Sequence, residues 1–357
     1  MPTLKATHNP TIPDQDSFTS KETAELIGWT EGSLRVSRCT DLDGPPSVKQ
    51  GRSVVYRREE LLEWMCTYNQ GKAEEDKVHY MGVDCQFNTY HPDMAREYLE
   101  LTAPPFLAFA DSVLSEVEEA DAQNYEDFDP VSFEAYLQRI ESLQDSVVLY
   151  EQDMVSASSE KEYQLHLRIV EVIRQVSEVR YYYGSPQSLI NYRDKYMAEN
   201  VNWLRDYHDN EKIAVWAHNF HISDYEDGNI GTMGNYLRYA LWDQYATVGF
   251  LFSRGTFTAV GMEGNTYTEL GEQSLDSIPK AGSLNAIMYH TGKAAFSIEV
   301  DALANYVAWY NAFEIGMQYF FMGSAYNNRP GDYYVNFDPD LYHYLIYFEN
   351  STASELL

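Results

Sequence analysis

Lys212-Ile213-Ala214-Val215-Trp216-Ala217-His218-Asn219-Phe220-His221 sets the fold class expected of the chain. Its first six residues form a short apolar run, which predicts a buried-type strand. Two histidines follow at once. A helical pattern precedes the run at about 186–208, and Met233–Trp242 follows as another helix. Thr247–Phe252 and Thr256–Val260 then read as strands, as do the short apolar runs Gln318–Met322 and Tyr344–Phe348. Helices alternating with buried strands predict an α/β fold, with a central, mostly parallel sheet flanked by helices.

Upstream, residues 92–183 carry helical patterning. Asp111–Ala122 and Val131–Val148 are amphipathic. In Glu160–Tyr183, residues Leu165, Ile169, Val172, Ile173, Val176 and Val179 fall on one stripe at helical spacing. Gly184-Ser185-Pro186 stops that helix and starts the next. Val78–Asp84 is a short strand-like run.

The 357 residues suit two domains. Residues 1–17 read as a flexible tail, 18–68 as a small compact head, 69–77 as a polar linker and 78–357 as the body. The net charge of -30 is uneven. Residues 1–72 are close to neutral, so almost all the excess acid lies in the body, which repels phosphate and anionic lipid. No apolar run approaches the roughly 18–20 residues of a membrane helix. Met1–His8 holds no apolar signal core. Cys39, Cys66 and Cys85 make no Cys-x-x-Cys pair. A soluble, cytoplasmic protein with no membrane partner is expected, and the oligomeric state is left open.

In the head, Thr19 or Ser20 caps a short helix ending at Gly28, and Thr30 starts a second. Pro45–Arg57 reads as a β-wing and Arg58–Tyr68 as a third helix. Over about 50 residues this order resembles the excisionase-like winged helix-turn-helix family. The resemblance implies DNA as a partner. Arg35 and Arg38 would face a major groove, with Lys49, Arg52 and Arg57 on phosphates. The other reading of the same head is a docking module that contacts protein.

In the body, His218 and His221 stand at the carboxyl end of the expected strand, where open α/β sheets build their sites. Their spacing lets both imidazoles face one cleft. Imidazole suits proton transfer near neutral pH and donation to a developing oxyanion. On the preceding helix, Arg193 and Asn200 lie seven apart, on one face with Met197 and Leu204. Such polar groups need partners if buried. They either make structural hydrogen bonds, or orient the histidines or grip a substrate oxygen. Histidines packed for structure alone are the other reading of the pair. The spacing fixes no third ligand beside the histidines, with Asp224 nearby, so neither metal nor cofactor is expected.

The strings Arg193-Asp194-x-x-Met197-Ala198-x-Asn200 and Ile213-x-Val215-Trp216-Ala217-His218-Asn219-x-His221 resemble the erythromycin esterase family. So do Met233-Gly234-x-Tyr236-Leu237-Arg238, Tyr80-x-Gly82-x-Asp84-x-Gln86 and Met322-Gly323-Ser324-Ala325-Tyr326. The likeness runs over about residues 78–357. It implies a hydrolase of cyclic or similar esters, in which histidine activates water and no acyl-enzyme forms. The absence of Gly-x-Ser-x-Gly agrees with this. His218 and His221 would be catalytic, with Arg193, Asn200 and Asn219 supporting. The family's Gly-Glu-x-x-His-Gly motif, whose histidine is the presumed base, has no counterpart among the nine histidines here. The resemblance thus implies an N-terminally truncated body and a weak or inactive esterase. The alternative is a DNA-binding regulator with a ligand-sensing, non-catalytic body.

Overall fold

The computed structural model describes residues 17–19, 48–50, 53–57, 64, 67–72, 77, 81–125, 128–182, 186–210, 212–228, 230–264, 266–304 and 306–353, with 17–57 in backbone only. The chain divides into two compact units: Met1–Gly82 with Ala246–Leu357, and Val83–Tyr245. Residues 78–357, read as one body, are therefore shared between both.

At the N-terminus β1 (Ser17–Thr19), β2 (Val48–Gln50) and β3 (Ser53–Arg57) form an antiparallel sheet in the order β1-β3-β2. The β2–β3 hairpin falls within the residues read as a wing. β1 is a strand where tail and helix cap were expected. The two head helices expected before residue 40 lie outside the described residues. Trp64 and residues 67–69 are helical, inside the run read as the third.

The second unit is mostly helical. It runs α1 (His91–Thr102), α2 (Pro104–Ala122), α3 (Pro130–Leu149), α4 (Glu151–Ala157), α5 (Glu160–Tyr181) and α6 (Pro186–Tyr207). The one-turn α7 (Asn219–Ile222), the small hairpin β4 (Glu226–Asp227) and β5 (Ile230–Gly231), and α8 (Met233–Leu241) complete it. Helix starts follow local chemistry. Asp129 caps α3 in a reciprocal box with Ser132, with Pro130 behind it, and Ser159 caps α5 through the Glu162 amide.

α5 is buried on two sides rather than along the single stripe expected. Tyr163, Val170 and Ile173 join the core built with α1–α4, while Val176 and Val179 pack with Cys85 and Tyr196. A helix enclosed on two faces also buries polar residues, here His166, Gln175 and Ser177. His166 is 1% exposed and stacks on Tyr98 at 4.3 Å between ring centres, and neither ring nitrogen has a hydrogen-bond partner. Burial lowers its pKa from 6.5 to about 4. The fold therefore holds the neutral ring, whereas the unfolded chain takes up a proton below pH 6.5. Stability present above that pH is lost as pH falls towards 4, by on the order of 3 kcal/mol. His166→Phe keeps the stack and removes the proton site. Urea titrations near pH 7 and again near pH 4.5 should show a smaller acid loss in the variant; equal losses would refute this account.

The first unit resumes with β6 (Val248–Glu263), β7 (Thr266–Leu275), α9 (Leu284–Tyr289), β8 (Ala295–Glu299), α10 (Val300–Ala304) and α11 (Val307–Glu314). It ends with β9 (Gln318–Phe320), β10 (Ala325–Tyr326), β11 (Tyr334–Asn336) and β12 (Tyr344–Ser351). The sheet is mixed, which corrects the mostly parallel expectation. β12 and β10 run parallel to β6, but β7 is antiparallel to β6 and β8 to β12. β7 follows β6 across a short turn, and a tight hairpin is necessarily antiparallel. Asn285 of α9 stitches the layer, donating to the Phe252 carbonyl at 2.7 Å and accepting from the Phe320 amide at 2.8 Å.

The run Lys212–Ala217 carries no strand, which corrects the buried strand expected there. Val215 and Ala217 pack against Met197, Ala198, Val201, Met233 and Leu237 of α6 and α8. Ile213 and Trp216 are 39% and 55% exposed. Lys212–Ala214 are all exposed, burial begins only at Val215, and no ladder partner sits beside the run among the described residues. Residues 81–84 of the strand-like Val78–Asp84 run likewise form no strand.

Candidate functional site

The site is built on α6, α7 and α8. Along α6, Asp194, Met197, Ala198, Val201 and Leu204 are buried at the three- and four-residue spacing of one helical face. Four of them are apolar. The fifth is a carboxylate that is 0% exposed. Burying such a charge is costly unless it is paired and hydrogen-bonded. Asp194 is both. Its Oδ1 and Oδ2 each lie 2.9 Å from Nδ1 of His221, and Oδ2 accepts from the Met233 amide at 2.9 Å. Met233 opens α8, so a free amide at a helix start, with its partial positive charge, meets the carboxylate.

His221 is placed by α7. His218 caps that turn, its Nδ1 accepting from the Phe220 amide at 3.2 Å. The His221 side chain is 20% exposed, and the two ring centres are 6.5 Å apart with planes at 77°. Asn219 is the first residue of α7, and its carbonyl accepts from the Ser223 amide at 3.1 Å. The chain then runs to Thr232, which caps α8 through the Asn235 amide and donates to the Ser223 carbonyl at 2.5 Å. Asn235 donates to Asp224 at 2.9 Å. Asp224 thus serves the loop, while Asp194 and the α8 start hold His221. Among the described residues, no three His, Cys, Asp or Glu side chains cluster as a metal site requires.

Arg193 and Asn200 flank the buried face, and their hydrogen bonds go to the segment entering the unit. Arg193 Nε and Nη2 donate to the two oxygens of Asp84 at 2.8 and 2.7 Å. Burial works against the Arg193 charge, but the Asp84 carboxylate outweighs it and raises the guanidinium's pKa. Asn200 Nδ2 donates to the Val83 carbonyl at 2.9 Å and to Gln175 Oε1 at 3.1 Å, while its Oδ1 accepts from Arg168. The pair pins Val83-Asp84 to α5 and α6. Cys85, next along, is buried with its thiol pushed up, chiefly by burial and then by Asp84. Tyr236 on α8 is shifted the same way, by burial and then by the Asp194 charge.

Sequence reasoning missed Asp194 as a site residue, although it stands inside the quoted string. The available signal was its register. Asp194, not Arg193, repeats with Met197, Ala198 and Val201. Of the residues read for DNA contact, Arg35, Arg38 and Arg52 lie outside the described residues. Lys49 is on β2 and Arg57 ends β3.

The family model for erythromycin esterase matches residues 42–351. The chain belongs to the erythromycin esterase family. The match begins inside the segment read as the head, upstream of the residue 78 at which the likeness was placed. Solved structures resemble this family member in fold. A protein from Bacillus cereus gives a TM-score of 0.68 at 18% identity, over 82% of this chain and 71% of that one. A succinoglycan biosynthesis protein gives 0.66 at 17%, over 82% and 69%. A mutant of the erythromycin esterase EreC in its open conformation gives 0.54 at 13%, over 81% and 72%. No curated protein matches the chain by sequence. No described helix is long and apolar enough to cross a membrane.

Proposed function

We propose that this erythromycin esterase family member hydrolyses carboxylic esters of small molecules, cyclic esters among them, by histidine-assisted attack of water. The observation that carries the reading is the His221–Asp194 pair. A carboxylate held against Nδ1 orients the ring and stabilises the imidazolium that forms when Nε2 takes a proton. The absent Gly-Glu-x-x-His-Gly motif removes the base that the family resemblance implied, and His221 supplies one from the chain's own residues. Arg193 and Asn200 support the site indirectly, by fixing Val83-Asp84 against α6.

The test is turnover by the purified full-length chain. A p-nitrophenyl ester reports linear substrates, and a macrolide lactone, followed by mass spectrometry for the gain of one water, reports ring opening. His221→Ala is expected to lower kcat by ~10²–10⁴-fold, the usual worth of general-base assistance. Turnover that survives this substitution, or no turnover of either substrate class, would overturn the reading.

A further inference from the structure

The two histidines of the site are held by different partners through the same ring atom. Nδ1 of His221 faces an ionisable carboxylate, so it carries the proton and donates. Nδ1 of His218 faces a backbone N–H, so it carries the lone pair and accepts. A neutral imidazole has one proton, and placing it at one nitrogen leaves the other in the opposite role. We propose that α7 and Asp194 lock the pair in opposite tautomers. His221 offers an Nε2 lone pair as the base, and His218 offers an Nε2–H as the hydrogen-bond donor to the substrate carbonyl.

This deepens the hydrolase reading and rests on it for the chemistry. As water bonds to the carbonyl carbon, Nε2 of His221 takes its proton. The carbonyl π pair moves onto oxygen, which accepts from Nε2–H of His218. When the pair returns, the bond from carbon to the alcohol oxygen breaks. The leaving alkoxide takes the proton from His221. Ester and water become acid and alcohol, and both rings end as they began. With ring centres 6.5 Å apart, the two rings are near enough for one carbonyl and its attacking water to reach both.

The lock has a built-in asymmetry. The His218 acceptor role is fixed by backbone within its own turn. The His221 donor role depends on Asp194, a positioning residue on another helix. Oδ2 of Asp194 serves both the Met233 amide and His221. In Asp194→Asn the single amide oxygen is claimed by the Met233 N–H, and the new NH₂ turns towards His221. A donor facing Nδ1 reverses that ring's tautomer.

Long-range ¹H–¹⁵N correlation on the full-length protein, labelled at histidine, reads the tautomers directly and needs no substrate. His221 is expected as the Nδ1–H form and His218 as the Nε2–H form, with His221 alone switching in Asp194→Asn. Both rings in one tautomer, or no switch, would overturn the proposal whether or not the protein turns over esters. On a p-nitrophenyl ester, His218→Asn keeps the α7 cap and removes the imidazole donor. It is expected to lower kcat by ~10²-fold, the usual loss for one such donor, with KM and the rising limb of the pH profile unmoved. A rising limb lost with His218 and retained in His221→Gln would assign the roles the other way round. Absence of turnover in the wild-type chain counts against the hydrolase reading, and the ¹⁵N spectra then decide the tautomer lock alone.

Discussion

Asp194→Asn is expected to lower kcat on an ester substrate by ~10²–10⁴-fold while KM changes little. The carboxylate is 0% exposed and meets the Met233 amide and Nδ1 of His221 at 2.9 Å. Its work is electrostatic and orientational, so it is felt most where the imidazolium forms. Folding responds as well. Removing one partner of a buried charged hydrogen-bond set costs about 3–5 kcal/mol when groups are left unpaired. Asparagine keeps one acceptor, and its cost should fall well below that of alanine. Steady-state kinetics with thermal melts separate the two effects. An Asp194→Asn protein that melts like wild type and turns over like wild type would show that the pair is only packing.

Gly234→Ala is expected to destabilise the helical unit by ~3 kcal/mol or more, the upper range for forced overpacking. Gly234 is the second residue of α8. A Cβ there would lie 2.1 Å from the carbonyl oxygen of Ile222 and 2.3 Å from that of Ser223. Both are backbone atoms of the turn that carries His221, so no side chain can swing aside. Either α8 withdraws, breaking the Met233–Asp194 hydrogen bond, or α7 shifts and takes His221 with it. Melting temperature and ester turnover should fall together. An unchanged melt would mean that the approach of α8 to α7 is looser than these distances require.

The legible parts of this protein were those written locally. The helices read near 111–122, 131–148, 160–183, 186–208 and 233–242 correspond to α2, α3, α5, α6 and α8. The starts of α3, α5, α6 and α8 are set by Asp129, Ser159, Pro186 and Thr232, and the faces by apolar spacing. The histidine pair was legible as a motif. The state of Lys212–Ala217 was not. Apolar composition measures the wish for burial, whereas a strand exists only if a neighbour supplies hydrogen bonds. β7 and β8 were missed for the converse reason. Thr266–Leu275 is largely exposed and owes its form to pairing with β6. Thr247–Phe252 and Thr256–Val260 read as two strands, but β6 is continuous through Gly255. That residue sits at φ +111, where a Cβ would meet the Ser351 carbonyl at 2.1 Å.

Helix positions, the family signature and the adjacency of His218 and His221 are written in the chain. Helix positions and the histidine adjacency depend on residues within a few turns of one another, and the signature on short strings, each of fixed covalent spacing. Which atom the His221 ring presents follows from packing between distant segments. The proton of His221 is placed by a carboxylate 27 residues away, and that carboxylate by an amide 39 residues away. An imidazole's role depends on its hydrogen-bond partner. For His221 that partner is chosen by the packing of α6 against α7 and α8, which no local spacing encodes.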